Sequence, residues 1–199
     1  MAQVITLKIT YADCDSRIWR EAQISDNSYL NKLGYMVLAT FDTLAYHLFS
    51  IEYNGVLFEL PSDDRRIKPE ECLFYVKLKD LNLNIGDKLQ MIYDFGCEQV
   101  FDIEVTDISP MPRGTGTAYP KILRGEGRGV LDNVSAWETL EIIKQIDKTG
   151  KSEHSVQTEY GSQFWDYRDY RLDLDNGLLK GEIARIEDAY SYFEQFMEE

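Results

Sequence analysis

Hydrophobic and polar residues alternate along several stretches of the chain, and each such stretch predicts a half-buried strand. The first strand runs from Val4 to Tyr11, and Ile18 to Ile24 returns beside it as a hairpin. A further pair, His47 to Tyr53 and Val56 to Leu60, is joined by Asn54-Gly55. This dipeptide favours a tight two-residue hairpin turn because both positions accept a positive φ.

The most regular alternation lies between Leu89 and Val105. Apolar side chains occupy every second position from Leu89 to Phe95 and again from Phe101 to Val105. We expect a β-hairpin here, connected through Gly96 to Gln99, with Gly96 free to take a positive φ.

Apolar residues spaced three and four positions apart predict helices elsewhere. The stripes are Leu30, Leu33, Val37, Phe41 and Leu44; Trp137, Leu140, Ile143 and Ile146, with a stop at Gly150; and Ile183 to Met197 within a helix from about Glu182. Ser109 to Gly129 is rich in proline and glycine and predicts a long loop. Lys151 to Asp175 is polar and aromatic and indicates no particular structure.

Strands and helices are segregated along the chain rather than strictly alternating, which favours an α+β fold over a parallel doubly wound sheet. The predicted architecture is a set of antiparallel β-hairpins forming a sheet packed against amphipathic helices. The 199 residues fit one domain, 1–199, with a helical C-terminal part from about residue 135.

Composition restricts the function more than the fold. A hydrophobic fraction of 44% is typical of a globular protein, and the formal net charge is −14. Such a surface repels phosphate backbones, which disfavours general nucleic-acid binding but leaves room for contact through a local basic patch.

Cysteine usage and the absence of long apolar runs predict a compartment. Cys14, Cys72 and Cys97 are sparse, odd in number and without Cys-x-x-Cys spacing, which indicates free thiols in a reducing environment. The sequence contains neither a signal-peptide pattern nor an apolar run that could cross a membrane. We therefore expect a cytoplasmic protein that does not bind membranes.

Several motifs carry a resemblance to a known family. Leu7-Lys8-Ile9 and Arg17-Ile18-Trp19-Arg20 are similar to an opening hairpin L-K-I … P-I-W-R-R, and Gly125-Glu126-Gly127 is similar to a later D-G-E-G loop. The most specific match is Tyr93-Asp94-Phe95-Gly96, similar to Y-D-F-G-D. In this order the motifs resemble the plasmid pRiA4b ORF-3-like family, whose members include passenger proteins of insertion elements. The resemblance implies an α+β fold and an association with mobile genetic elements, but no particular reaction.

The departures from the family pattern concern its histidines. Gly34 and Phe49 stand where the pattern has histidines, and Phe101 replaces a third. If those residues formed a metal or catalytic site, this chain has largely lost it. His47 and His154 are the remaining histidines and have no metal-ligand spacing, so we expect no metal and no cofactor.

A nucleophilic cysteine is the one catalytic arrangement that the sequence suggests. Cys97 could attack with His47 as its base, but Asp94, Glu98 and Asp102 are acidic neighbours that would raise the pKa of the thiol. We therefore assign no catalytic residue and regard an enzyme as the less favoured class.

A locally basic segment, which we call the basic loop, lies between Arg113 and Arg128. Arg113, Lys121, Arg124 and Arg128 surround several glycines, and exposed amides beside arginines can bind phosphate or carboxylate. The alternative is a solvated loop whose cations pair with acids of the same chain, and we favour it on the net charge.

Tyr93 and Asp94 have two interpretations. They could line a small binding pocket together with Arg124. Alternatively, an aspartate ahead of Phe-Gly fixes a turn by accepting backbone N–H groups, which requires no ligand and is the favoured interpretation.

The preferred hypothesis is a cytoplasmic accessory or interaction protein associated with mobile genetic elements and without catalysis. One alternative is a small-ligand or nucleic-acid-binding module using the basic loop, and another is a degenerate enzyme. The C-terminal part is rich in aromatic residues; most should join the core, and those left exposed could bind another protein.

Overall fold

A seven-stranded antiparallel sheet forms the centre of the computed structural model, which describes residues 1–14, 16–62, 67–158 and 161–197. Its strands are β1 (Gln3–Tyr11), β2 (Trp19–Ser25), β3 (Phe49–Tyr53), β4 (Val56–Glu59), β5 (Lys88–Tyr93), β6 (Gln99–Pro110) and β7 (Lys121–Glu126). They are ordered β4-β3-β5-β6-β1-β2-β7, and every neighbouring pair is antiparallel. A separate hairpin contains β8 (Ser155–Thr158) and β9 (Gly161–Phe164).

Three helices accompany the sheet: α1 (Leu30–Thr40), α2 (Ala136–Thr149) and α3 (Leu172–Tyr190), the last followed by a 3₁₀ segment, Ser191–Met197. Buried and partly exposed residues alternate along β2 and β5, so one face of the sheet is packed and the other is open to solvent. The buried cluster extends from Ile5 to Tyr190 and includes all three helices. The α+β prediction, with antiparallel hairpins packed against amphipathic helices, is confirmed.

The predicted hairpins form, with one difference at the Leu89–Val105 connection. Tyr53 pairs with Val56 across Asn54 and Gly55, which have φ of 50° and 76°. Between β5 and β6, however, the positive φ angles belong to Asp94 (54°) and Glu98 (49°), not to Gly96. An aspartate tolerates this conformation because its short side chain can bond to the local backbone.

Helix α1 ends earlier than its apolar stripe predicts. It stops at Thr40, Phe41 forms the C-cap, and Asp42 then takes a φ of 55°, which turns the chain away from the helix axis. Phe41 is fully buried, whereas Leu44 lies beyond the helix with 59% of its surface exposed. The turn places Asp42 and Leu44 at the end of α1.

Helix α2 has the predicted extent but not the full predicted apolar face. Ser135 and Glu138 form a reciprocal capping box, and Gly150 ends the helix with a φ of 74°. Ile143 and Ile146 are buried, while Trp137, the first member of the predicted stripe, is 69% exposed.

Two segments contain regular structure that the sequence patterns did not indicate. Ser109 to Gly129 was predicted as a loop, yet β7 lies within it and pairs with β2. Helix α3 begins at Leu172, ten residues before the predicted start near Glu182. Gly177 and Gly181 obscured this start, since each costs about 1 kcal/mol in a helix relative to Ala.

Candidate ligand-binding cleft

Arg20 occupies a core position of β2. Ile18, Ala22 and Ile24 are buried, and Arg20 follows the same alternation with no exposed surface. A charged side chain is buried at such a position only when its hydrogen bonds and charge are met inside the protein. The even spacing of Arg20 with the apolar residues Ile18, Ala22 and Ile24 is visible in the sequence and could have identified Arg20 as a buried arginine.

The Arg20 guanidinium connects its own strand, β2, to three other parts of the chain. Its Nε donates to the carbonyl of Thr40 at 3.0 Å, at the end of α1. Its Nη1 donates to the carbonyls of Glu126 (3.0 Å) and Gly127 (2.8 Å), just after β7. The Tyr170 ring stacks on it, with a centroid 3.9 Å from Cζ. Arg20 therefore fixes the geometry of the surface that lies above it.

That surface is a cleft of about 780 Å³ between the end of α1, β7 and the first turns of α3. Asp42, Tyr170 and Asp175 line it and also surround Arg20. The Asn176 side chain accepts from the N–H of Ile122 (2.9 Å) and donates to its carbonyl (2.8 Å), which anchors α3 to the edge strand β7. We call this site the α3 cleft.

Two of the carboxylates that line the α3 cleft, Asp42 and Asp175, are held in an unfavourable environment. Desolvation raises the pKa of Asp175 to about 6, and the negative charge of Asp42 raises it further while Arg20 opposes the shift. Desolvation likewise raises the pKa of Asp42, against the opposing charges of Arg20 and Arg128, although the residue keeps an exposed side at the cleft mouth. Perturbed acids in a cleft are a physical indication of a functional site.

Three buried polar atoms of this site have no hydrogen-bond partner among the described residues. They are Nη2 of Arg20, the hydroxyl of Tyr170 and Oδ2 of Asp175. The Tyr170 hydroxyl and the Asp175 carboxylate are nevertheless close enough to interact, and this contact lowers the pKa of Asp175. Buried polar atoms are almost always fully paired, so the unpaired Arg20 Nη2 and the poorly aligned Tyr170–Asp175 contact require an explanation.

Arg128 is the member of the basic loop that lines the α3 cleft. Its backbone N–H donates to the Tyr167 carbonyl at 2.6 Å, which fixes the residue, but its guanidinium forms no ion pair or hydrogen bond within the described ranges. A Cβ at Gly129 would lie 2.0 Å from the Phe41 carbonyl oxygen, and one at Gly127 would lie 2.3 Å from that of Arg17. These glycines therefore allow close contact with the protein's own backbone.

The other predicted cations lie elsewhere. Arg124 lies in β7 opposite Glu21, and its Nη2 contacts that carboxylate at 2.6 Å. Lys121 begins β7, and Arg113 is exposed in the preceding connection. The Arg124–Glu21 pair is an instance of the solvated, internally paired segment that the sequence analysis favoured.

Tyr93 and Asp94 do not share a pocket with Arg124. Three strands separate β5 from β7, a distance of about 19 Å at about 4.8 Å per strand. The Tyr93 hydroxyl instead donates to Asp132 at 2.8 Å. Asp94 accepts the Gly96 N–H at 3.2 Å, as the turn interpretation expects.

His47 lies in this second polar cluster. Its Nε2 is 3.4 Å from Asp94 Oδ2 and 3.3 Å from Asn133 Oδ1. Close by, desolvation and the Asp94 carboxylate raise the pKa of the Cys97 thiol. A raised thiol pKa lowers the thiolate fraction and thus works against a nucleophilic role.

The family-pattern departures at Gly34 and Phe49 are packed against each other. A Cβ at Gly34 would lie 2.2 Å from Cε2 of Phe49, so the ring occupies the space of a side chain at position 34. Phe49 is buried and also contacts Tyr35 and Tyr190 edge-on. This region is an aromatic core rather than a polar site.

Neither a metal-binding cluster nor a membrane-spanning helix occurs in the described part of the chain. No group of three or more His, Cys, Asp or Glu side chains there has a metal-binding arrangement. None of the helices found there has the length and apolar character needed to cross a bilayer.

The fold and the α3 cleft together define an α+β protein whose antiparallel sheet is packed on one face and whose last helix closes a charged cleft beside its edge strand. The model of the Plasmid pRiA4b ORF-3-like protein family matches residues 3–175, and the chain belongs to this family. The predicted family membership is confirmed.

Comparison with solved structures supports the same fold. The crystal structure of a protein of unknown function from Methanosarcina mazei Go1 is similar, with a TM-score of 0.62 and 21% sequence identity. The match covers 75% of this chain and 84% of the other. A sequence comparison with curated proteins found no significant match.

Proposed function

We propose that this protein is a non-catalytic accessory protein that binds a small ligand in the α3 cleft. The observation that carries the proposal is the group of incompletely paired polar atoms on Arg20, Tyr170 and Asp175, beside an Arg128 guanidinium that has no hydrogen bond or ion pair within the described residues. A cleft of about 780 Å³ lies within the range of about 300–1,000 Å³ that small-molecule sites occupy. Convergent polar groups in such a cleft are what orient a ligand.

The biological setting forms the second part of the proposal. The family name refers to an open reading frame on a plasmid, and we extend an association with mobile genetic elements to this chain. The cytoplasm is the proposed compartment because Cys72 and Cys97 are free thiols.

A protein partner is a second candidate, favoured by exposed aromatic residues. Trp137, Phe164 and Tyr192 are 69%, 68% and 60% exposed. Trp165 and Tyr190, by contrast, are buried, so the C-terminal aromatics divide into core and surface groups. Exposed aromatic side chains are enriched at protein interfaces.

The proposed function is tested by recording amide NMR spectra of the protein against a library of small polar fragments. We expect shift changes to concentrate on the residues that line the α3 cleft. Arg128→Gln should abolish them, while Arg124→Gln, a matched change in the same basic loop, should leave them intact. Loss in Arg124→Gln alone would instead support binding through the open face of the sheet, and changes confined to Trp137 and Phe164 would support a surface interface.

A further inference from the structure

The α3 cleft presents more negative charge on its floor than its buried cation can balance. Asp42 and Asp175 both face Arg20, and each carboxylate senses the other. Arg20 Nε is 3.7 Å from Asp175 Oδ2 but donates its hydrogen bond to the Thr40 carbonyl. Arg20 is thus shared by two carboxylates, and Asp42 also senses the charge of Arg128 on the wall. When a ligand carboxylate occupies Arg128, Arg20 alone faces both acids, which leaves the floor complementary to a cationic group.

The wall of the α3 cleft carries three arginines together with the acidic residues Asp169 and Glu182. Arg128 lines it with a guanidinium that makes no ion pair in the described ranges. Two other wall cations are engaged: Arg185 binds Glu182 at 2.8 Å and Arg171 binds Asp173 at 3.2 Å. Arg128 is therefore the wall cation available to a carboxylate, and a planar guanidinium binds a carboxylate with two parallel hydrogen bonds.

The rim of the α3 cleft is apolar. Leu44, Leu174 and Leu178 line it with 59%, 49% and 54% of their surfaces exposed. Leu174 and Leu178 are four residues apart on α3 and so lie on the same side of the helix. An apolar ligand body placed between them and Leu44 would remove this surface from water.

We infer that the ligand of the α3 cleft is an amino-acid-like zwitterion with an apolar side chain. Its ammonium group binds between Asp42 and Asp175, its carboxylate binds Arg128, and its side chain packs on Leu174 and Leu178. The inference rests on the proposed function and adds the chemical class of the ligand. The cleft volume of about 780 Å³ accommodates a free amino acid or a dipeptide.

Isothermal titration calorimetry with matched probes tests the inference. The probes are L-leucine, L-leucyl-L-leucine, L-leucinamide, which lacks the carboxylate, N-acetyl-L-leucine, which lacks the ammonium group, and 4-methylpentanoate, which lacks the amine altogether. We expect L-leucine or its dipeptide to bind at least tenfold more tightly than the last three probes. The preferred member of that pair distinguishes a free amino acid from a peptide.

Variants assign each charge to its partner. Arg128→Gln should remove the preference for L-leucine over L-leucinamide, and Asp175→Asn should remove the preference over N-acetyl-L-leucine. Arg124→Gln and Asp173→Asn, at neighbouring exposed positions, are the controls and should preserve both preferences. If Asp175→Asn does not fold, Asp42→Asn serves the same comparison.

Contrary results separate this inference from the proposed function. If 4-methylpentanoate binds as tightly as L-leucine, the ligand needs no ammonium group, and the zwitterion inference is wrong although the cleft still binds a ligand. If L-leucinamide binds as tightly as L-leucine, the ligand needs no carboxylate, and a cationic ligand replaces the zwitterion. Failure of every probe to bind would also overturn the inference. The fragment NMR experiment would still test the proposed function independently of this result.

Discussion

Arg20 and Asp175 form a buried charge pair beneath the α3 cleft, with 3.7 Å between Nε of the guanidinium and Oδ2 of the carboxylate. The pair connects β2 to the first turn of α3. The guanidinium donates its hydrogen bonds to backbone carbonyls rather than to the carboxylate. Desolvation and the charge of Asp42 raise the pKa of Asp175 to about 6, and the incompletely paired Arg20 only partly offsets them.

The raised pKa of Asp175 predicts a loss of stability as pH increases. The folded protein holds this proton up to about pH 6, whereas an unfolded aspartate releases it near pH 4. The folded state binds more protons in this interval, so the free energy of unfolding should fall between about pH 4 and 6, by at most about 3 kcal/mol from this group. Urea unfolding across this interval measures the effect.

Two variants isolate this contribution from other carboxylates. Asp175→Asn should reduce the fall in the free energy of unfolding between about pH 4 and 6. Asp173→Asn should not, because Arg171 lowers the pKa of Asp173 and so places its titration at lower pH. If the free energy of unfolding of Asp175→Asn depends on pH in the same way as that of the wild type over this interval, the prediction is contradicted.

Arg20 should be among the most sensitive positions in the protein. Arg20→Met leaves Asp175 without its buried cation and deprives the Thr40, Glu126 and Gly127 carbonyls of their donor. Breaking a buried pair in this way costs about 3–5 kcal/mol. Urea unfolding at neutral pH checks this value. Arg124→Met removes an exposed pair and should cost less than about 1 kcal/mol; equal costs for the two variants would argue against a structural role for Arg20.

Gly34 and Phe49 should be energetically coupled. Gly34→Ala places a Cβ 2.2 Å from the Phe49 ring, and the resulting overpacking, typically about 1–3 kcal/mol, outweighs the gain of about 1 kcal/mol in helix propensity. In a Phe49→Leu background the same change should cost less or become stabilising. A double-mutant cycle on the free energy of unfolding gives the coupling, and additive effects would show that the ring does not fill this space.

The cysteines should react slowly in the folded protein. Cys14 and Cys72 are buried, and desolvation together with Asp94 raises the pKa of Cys97. Reaction with a chromogenic disulfide at pH 7 should be slower than that of a free thiol such as glutathione, and Asp94→Asn should accelerate the Cys97 reaction. A fast-reacting Cys97 in the wild type would revive the nucleophile interpretation.

The elements predicted from sequence were those whose pattern is local. The alternation in β1, β5 and β6 and the Gly150 stop of α2 depend on neighbouring residues, so they were visible in one sequence. Strand β7 was obscured by its glycine and charged residues, because it lies at a sheet edge and pairs only with β2. The α3 cleft gathers Asp42, Arg128 and Asp175 from distant segments, and no local pattern indicates that they meet.

A crystal structure of the wild-type protein grown with L-leucine, or with the strongest NMR fragment, tests the central claim most directly. We predict ligand density in the α3 cleft, within hydrogen-bond distance of Arg128 and of the Asp42 or Asp175 carboxylate. Density for the ligand on the open sheet face beside Arg124, with the α3 cleft holding only solvent, would contradict the assignment of this cleft as the binding site.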